Sequence, residues 1–297
     1  MRVLIATDGS LDAKNALEWL RHLPLPVDTR YRVISVVPPS SLPAVPDLDE
    51  AARGIALGAA QAVVEEARGQ LAARSPVEGA VVHGDAREAI VTEAADWAAD
   101  LIVLGARGLG AVKEFLLGSV SLGAARHAPC PVLVCKGTPR DVRTITIAHD
   151  GSPGAAAAVR FVTGLRLPHH AHLRVVGVAE PVRYPATAPG ILGKTLHAAI
   201  ARVEAERTAV LEAKLKPALV DLWPRVATVE LSVALGSAAP EILRYADATD
   251  TDLLIVGARG LGGMSRLLLG SVSESVLRHA SCPVLVVRER AGKEIAS

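Results

Sequence analysis

Aromatic residues make up only 3% of this 297-residue chain, which removes the stacking platforms on which single-stranded nucleic acids are held. Charge of one sign is missing too. Lys and Arg number 32 against 31 Asp and Glu, and they form no block or stripe, so the net charge of +1 lacks the footprint of a nucleic-acid binder. No run approaches the roughly 18 apolar residues that span a bilayer. Neither nucleic acid nor membrane is therefore expected as a partner. The three cysteines, Cys130, Cys135 and Cys282, give neither zinc-ligand spacing nor an even-numbered disulfide framework, which suits a reducing cytoplasm. Cys130 and Cys282 occupy equivalent places in Cys-Pro-Val-Leu-Val, where a small thiol serves as a buried hydrophobe; a redox role is the alternative. His169-His170-x-His172 has the composition of a metal cluster but no visible third ligand. The opening Met1 to Asp8 carries one cation and a short apolar run before an acid, and reads as a strand instead of a signal peptide.

What the chain does have is a repeat. Gly105-x-x-Gly108 is followed after nine residues by Gly118-Ser119, and Gly257-x-x-Gly260 after nine by Gly270-Ser271. The offset of 152 also relates Asp100 to Asp252, Arg126-His127-Ala128 to Arg278-His279-Ala280, and Cys130-Pro131 to Cys282-Pro283. Near the start of each half, Asp8-Gly9-Ser10 and Asp150-Gly151-Ser152 are only 142 apart, so the second half carries about ten extra residues, around Tyr184 to Lys194. Half of the residues are apolar, enough for two ordinary cores. The expected domains are 1–138 and 142–290, joined through Lys136 to Arg143 with its Gly137 and Pro139.

Each half alternates strand and helix. Strands are predicted at 2–7, 31–37, 77–82, 101–105 and 131–135, and helices at 11–22, 49–73, 86–98 and 119–127. The second half repeats them, with strands at 143–149, 172–178, 228–234, 252–257 and 283–288 and helices at 153–165, 195–220, 239–247 and 271–279. Apolar runs without alternation suit strands buried on both faces, hence an α/β fold with two open five-stranded parallel sheets of order 3-2-1-4-5. Asp85 and Glu88 have capping-box spacing. Such sheets bind ligands beyond the C-terminal strand ends where the order reverses, and there Asp8 and Asp150 end the first strands while Gly105 and Gly257 end the fourth.

A strand, a glycine loop and a helix start make an anion site. Gly105, Gly108 and Gly118, with Gly257, Gly260 and Gly270, let the backbone approach oxygens closely and adopt positive φ where needed. Ser119 and Ser271 add a hydroxyl and an N–H at the helix start. Tight turning alone is the bland account of these glycines; two copies with one spacing favour phosphate binding. No Gly-Lys-Ser/Thr follows, so neither copy is a Walker loop, and neither is the Gly-x-Gly-x-x-Gly of dinucleotide sites. Arg107 and Arg259 are candidates for a phosphate contact, or simply exposed loop arginines. Lys113 corresponds to Ser265, so it has no role common to both halves. Asp8 and Asp150 can accept from ribose hydroxyls or help hold Mg²⁺ through water, with a turn-forming Asp-Gly as the alternative. Thr7 becomes His149 in the second half, and is not assigned a catalytic role.

Over nearly its whole length the sequence resembles the universal stress protein family in its tandem form. The match is carried by Val3 to Ser10, Asp100 to Ser119 and Cys130 to Val134, with Ile145 to Ser152, Asp252 to Ser271 and Cys282 to Val286. The signature of the family's nucleotide-binding branch, Gly-x2-Gly-x9-Gly-Ser/Thr, is met in both halves. The resemblance implies a Rossmann-like fold of the adenine nucleotide alpha hydrolase-like kind. It implies ATP, or ADP or AMP, with phosphates on the glycine loop and the first-strand Asp near ribose or adenine. It further implies a main-chain contact to adenine at Val36 and Val178. Pairing through the fifth strands, Val132 to Val134 with Val284 to Val286, would join the halves as an intrachain pseudo-dimer, and homodimerisation stays open. The implied role is a stress-linked sensor or regulator with at most slow ATP hydrolysis; an ATP-hydrolysing enzyme and a ligand-free interaction module are the alternatives. An ATP pyrophosphatase relative is disfavoured by the missing Ser-Gly-Gly-x-Asp-Ser loop. The loops after strand two, Pro38 to Asp49 and Glu180 to Lys194, are the segments expected to respond to ligand.

Overall fold

The computed structural model describes residues 1–39, 46–72, 76–109, 117–182, 191–223, 226, 228–261 and 269–288. The first half runs β1 (Arg2–Ala6), α1 (Leu11–His22), β2 (Arg30–Val37), α2 (Pro46–Leu71), β3 (Val77–His83), α3 (Ala86–Asp96), β4 (Leu101–Gly105), α4 (Ser119–His127) and β5 (Val132–Cys135). The second repeats it as β6 (Thr144–Ala148), α5 (Pro153–Thr163), β7 (His172–Ala179), α6 (Ile191–Leu222), β8 (Thr228–Leu235), α7 (Ala238–Ala248), β9 (Leu253–Gly257), α8 (Ser271–His279) and β10 (Val284–Val287). Local chemistry sets the helix starts. Ser10 and Ser152 cap α1 and α5 by accepting from Ala13 N and Ala155 N, and Pro153 occupies a first-turn position where its missing N–H costs nothing. Asp85 caps α3 through Arg87 N, and its carboxylate is clasped by the Arg87 guanidinium at 2.9 and 2.7 Å.

All ten strands form one sheet of order β3-β2-β1-β4-β5-β10-β9-β6-β7-β8, so each half has the order 3-2-1-4-5. Pairing is parallel within each half and antiparallel only between β5 and β10, where Val132, Leu133 and Val134 face Val286, Leu285 and Val284. The fifth strands are thereby interior, and the outer edges belong to β3 and β8. Burial follows position. The central strands β4, β5, β9 and β10 are buried at every residue, whereas β3 and β8 are half-buried or exposed along their length.

Alternate residues of each strand feed two apolar layers, each continuous across both halves. Val3, Ile5, Leu133, Ile145 and Leu285 pack beneath α1, α2, α5 and α6, while Leu4, Ile102, Val132, Leu254 and Val284 pack beneath α3, α4, α7 and α8. The linker is pinned to both halves. Trp19 Nε1 donates to Lys136 O, Arg140 pairs with Asp250 and Asp252, and Lys136 Nζ donates to Leu277 O, Arg278 O and Ala280 O at the end of α8. There the ammonium meets the negative end of the helix.

Two loop expectations need correction. α2 begins at Pro46 and α6 at Ile191, so Pro46 to Asp49 and Ile191 to Lys194 are helical and not loop. Proline read as a breaker is, at a first helical position, a starter. Residues 40–45 and 183–190 of those loops lie outside the described residues, as does Lys113.

Candidate functional site

At the end of β1 the chain turns through Gly9, at φ +77°, and at the end of β6 through Gly151, at φ +79°. These turns aim Asp8 and Asp150 at the glycine loops. Asp8 Oδ1 accepts from Ser10 N at 3.0 Å and its Oδ2 from Leu109 N at 2.8 Å. Asp150 does the same with Ser152 N at 2.9 Å and Leu261 N at 3.1 Å. The carboxylate is thus a latch between the first-strand turn and the glycine loop. Each oxygen has a further lone pair, so a ribose hydroxyl or a hydrated cation still has an acceptor.

The glycines of the loop are required by close approach, not by positive φ, which none of the six adopts. A Cβ on Gly105 would lie 2.5 Å from the Asp12 carbonyl and 2.7 Å from Ala13 N, and one on Gly257 would lie 2.6 Å from Gly154 C. The first turn of α1 or α5 therefore sits directly on the end of β4 or β9. A Cβ on Gly108 or Gly260 would come within 2.5 Å of the Asp8 or Asp150 Oδ2. Gly118 N and Gly270 N donate to Ala106 O and Ala258 O, both at 2.8 Å, so these two amides are spent on closing the loop and do not face a ligand.

What the closed loop presents is a helix start. Gly118 and Gly270 are the N-caps of α4 and α8 and offer no side-chain acceptor to the amides that follow. A Cβ on Gly118 would stand 3.4 Å from Arg107 Cα and 3.9 Å from Gly108 N, which places the first turn of α4 against the loop. Ser119 and Ser271 begin these helices exposed, with hydroxyl and N–H at the helix's positive end.

Val36 and Val178 lie across the same cleft. Thr7 N donates to Ile34 O and Gly84 N to Val37 O, so along β2 the main-chain groups of Ile34 face β1 and those of Val37 face β3. By alternation Val36 faces β1, which has already ended at Ala6. Its N–H and C=O therefore point past the end of that strand. His149 N to Val176 O and Gly236 N to Ala179 O set the same pattern, leaving Val178 opposite the end of β6.

The two arginines differ. Arg107 Nε donates to Asp12 Oδ2 at 3.0 Å, so its guanidinium is held by the first turn of α1. Position 154, the counterpart of Asp12, is glycine, and Arg259 is half-buried near Arg288, whose pKa is held down by burial and then by Arg259. His149, buried beside Asp150, accepts from Gly151 N at 2.9 Å through Nδ1 where Thr7 Oγ1 accepts from Gly9 N at 3.2 Å.

Sequence reasoning passed over four serines. Ser121 Oγ donates to Gly105 O at 2.7 Å and Ser273 Oγ to Gly257 O at 2.6 Å, tying each helix start to the strand end. Ser10 and Ser152 reach Arg107 O and Arg259 O at 3.3 and 3.4 Å. Their recurrence at the repeat's own offsets was the available signal. A cavity of about 360 Å³ also lies between Trp19, the linker and Asp247 to Asp252, away from both clefts. Its polar groups are already engaged, Arg140 with Asp250 and Asp252, Ser281 with Asp247, and Lys136 with the carbonyls at the end of α8. Among the described residues no group of three or more His, Cys, Asp and Glu could hold a metal, and no helix is long and apolar enough to cross a membrane. The cysteine thiols are buried, and burial pushes Cys282 up to about 11.

Comparison with known proteins places this geometry. The model of the universal stress protein family matches residues 1–136 and again 141–288. A universal stress protein of Mycobacterium tuberculosis is 29% identical, covering 96% of this chain and 94% of its own. One from Thermus aquaticus is 36% identical over 49% of this chain and 98% of itself, so the whole of that protein corresponds to one half here. The crystal structure of a universal stress protein from Archaeoglobus fulgidus superposes with a TM-score of 0.66 at 21% identity, over 98% of each chain, and shares the fold.

Proposed function

Because the chain belongs to the universal stress protein family, in its tandem form, we propose that its two units, residues 1–138 and 142–290, each bind ATP or a related adenine nucleotide. The observation that carries this reading is the duplicated helix start: α4 and α8 open on a glycine without a side-chain cap, are fastened by Ser121 and Ser273, and face a loop that Asp8 or Asp150 holds closed.

The residues fit the ligand class. Phosphates rest on the first-turn amides and the hydroxyls of Ser119 and Ser271, beside Gly105, Gly108 and Gly118 or Gly257, Gly260 and Gly270. Charge-assisted hydrogen bonds contribute about 1.5 to 3 kcal/mol each, so a few converging donors give micromolar binding without a Walker lysine. Asp8 and Asp150 take the ribose or a hydrated Mg²⁺, and the open main chain of Val36 and Val178 reads the adenine edge. Arg107 and Arg259 supply positive charge at the loop. The protein is a cytoplasmic sensor or regulator with at most slow ATP hydrolysis, in which bound nucleotide changes what the cleft rim presents to a partner.

The test is to denature purified protein, identify the small molecules released, and titrate ATP, ADP and AMP into stripped protein. Two adenine nucleotides per chain are expected. Absence of binding under every condition overturns the reading in favour of an interaction module, and turnover above about 1 per second, the range of dedicated catalysts, would make it an enzyme.

A further inference from the structure

The two clefts share a backbone but not a charge. Over the glycine of the first-strand turn, the first half places an apolar side chain and the second a cation. A Cβ on Gly9 would meet Val63 Cγ2 at 2.9 Å, whereas one on Gly151 would meet Lys214 Nζ at 2.5 Å. Both come from the long helix after the second strand, α2 or α6, and each neighbours a core residue, Val64 or Leu215. The substitution therefore changes what covers the turn while the helix stays in place.

A second difference lies on the other rim. Asp12, in the first turn of α1, puts a carboxylate beside the glycine loop and holds Arg107 at 3.0 Å. Its counterpart Gly154 packs so that a Cβ would lie 2.5 Å from Arg259 O, leaving no room for a carboxylate there. His149 for Thr7 keeps the same turn amide accepted and, with the ring unprotonated, adds no charge. Among the described residues at the strand-end turn and the loop arginine, the second cleft has thus gained the Lys214 cation and lost the Asp12 carboxylate.

Resting on the reading that both clefts take adenine nucleotides, we propose that Lys214 and the Gly154-for-Asp12 exchange make the second cleft the tighter polyphosphate site. The first, with the Asp12 carboxylate beside its glycine loop, is the weaker site. The discrimination scales with ligand charge. A triphosphate brings more negative charge to Lys214 and suffers more from Asp12 than a monophosphate does, so ATP separates the halves and AMP hardly does. Lys214 is exposed, so salt screens its share of the difference.

Calorimetric titration of the full chain at low salt decides this. Wild type is expected to show two ATP affinities about tenfold apart or more, and two AMP affinities within about threefold. Lys214→Val, which installs the residue of the first half, should weaken only the tighter ATP site, by about tenfold. Asp12→Asn, which removes the carboxylate charge, should strengthen only the weaker one. Lys214→Met serves the same purpose if the valine variant does not fold, and circular dichroism melting confirms that each variant is native. Two equal ATP affinities in wild type, or a weaker site that responds to Lys214→Val, overturn the inference and leave nucleotide binding standing. No binding of either nucleotide removes both.

Discussion

Leu133 sits opposite Leu285 where β5 and β10 run antiparallel, and the repeat's offset of 152 makes each the counterpart of the other. The flanking pairs, Val132 with Val286 and Val134 with Val284, obey the same exchange. A pseudo-two-fold axis therefore passes through the leucine pair, and the halves meet as subunits of an isologous dimer meet. Tandem fusion has turned the exposed edge of each five-stranded sheet into the middle of a ten-stranded one.

Both leucines are 2% exposed and lie in one apolar layer. Leu133→Ala and Leu285→Ala should each cost about 2–5 kcal/mol in urea unfolding. The double variant should cost less than their sum by at least about 0.5 kcal/mol, because the second truncation removes a contact already lost. Strict additivity would mean that the pair is not the centre of the junction.

Asp8→Ala should release Leu109 N and Ser10 N together, because each carboxylate oxygen serves one of them. Hydrogen exchange at Leu109 should quicken markedly, and one nucleotide per chain should be lost or weakened by about tenfold or more. Asp8→Asn keeps one oxygen and should fall between the two. If Asp8→Ala left exchange at Leu109 unchanged, the latch would not exist.

The order of elements was legible because buried parallel strands write themselves into apolar runs and a helix start into the spacing of Asp85 and Glu88. The start of α6 was not legible, since Pro185, Pro189 and Gly190 just before it read as loop. In the site, the repeat singled out these glycines but not the packing around them. Whether a glycine makes room for a ligand or for its own protein depends on what folds against it, and Gly105 faces the backbone of Asp12. Likewise the Arg107 to Asp12 pair joins residues 95 apart in sequence, which no local pattern announces.

That packing ranks the glycine substitutions. Gly105→Ala should be the most damaging of the three in the first loop, since its Cβ meets α1 backbone that cannot move without shifting the helix. Gly108→Ala presses on the Asp8 carboxylate, a side chain that can turn away, at the price of the latch. Gly118→Ala meets Ala106 O at 3.2 Å and Arg107 Cα at 3.4 Å, so it should be tolerated best, and Gly118→Val should weaken one nucleotide site by loosening the loop. Melting temperatures and ATP stoichiometry for the series check the order; a Gly105→Ala variant as stable as wild type would break it.

His149 gives the second half a pH dependence that the first lacks. Its Nδ1 accepts from Gly151 N and must be unprotonated to do so, whereas Thr7 Oγ1 fills the same role without titrating. Burial, and then Lys214, hold the imidazole below its ordinary value of 6.5, against the pull of Asp150. The folded chain thus resists a proton that the unfolded chain accepts. The stability contributed by neutral His149 is fully present above about pH 6.5 and is lost as pH falls through the folded pKa. Wild type should therefore lose stability between about pH 6.5 and 5 more steeply than His149→Thr, which restores the acceptor used in the first half. Urea midpoints measured across that window for both proteins are the check. Parallel curves would mean that the ring does not hold the turn; a gap that opens on acidification would place the acid sensitivity of the second cleft at this one nitrogen.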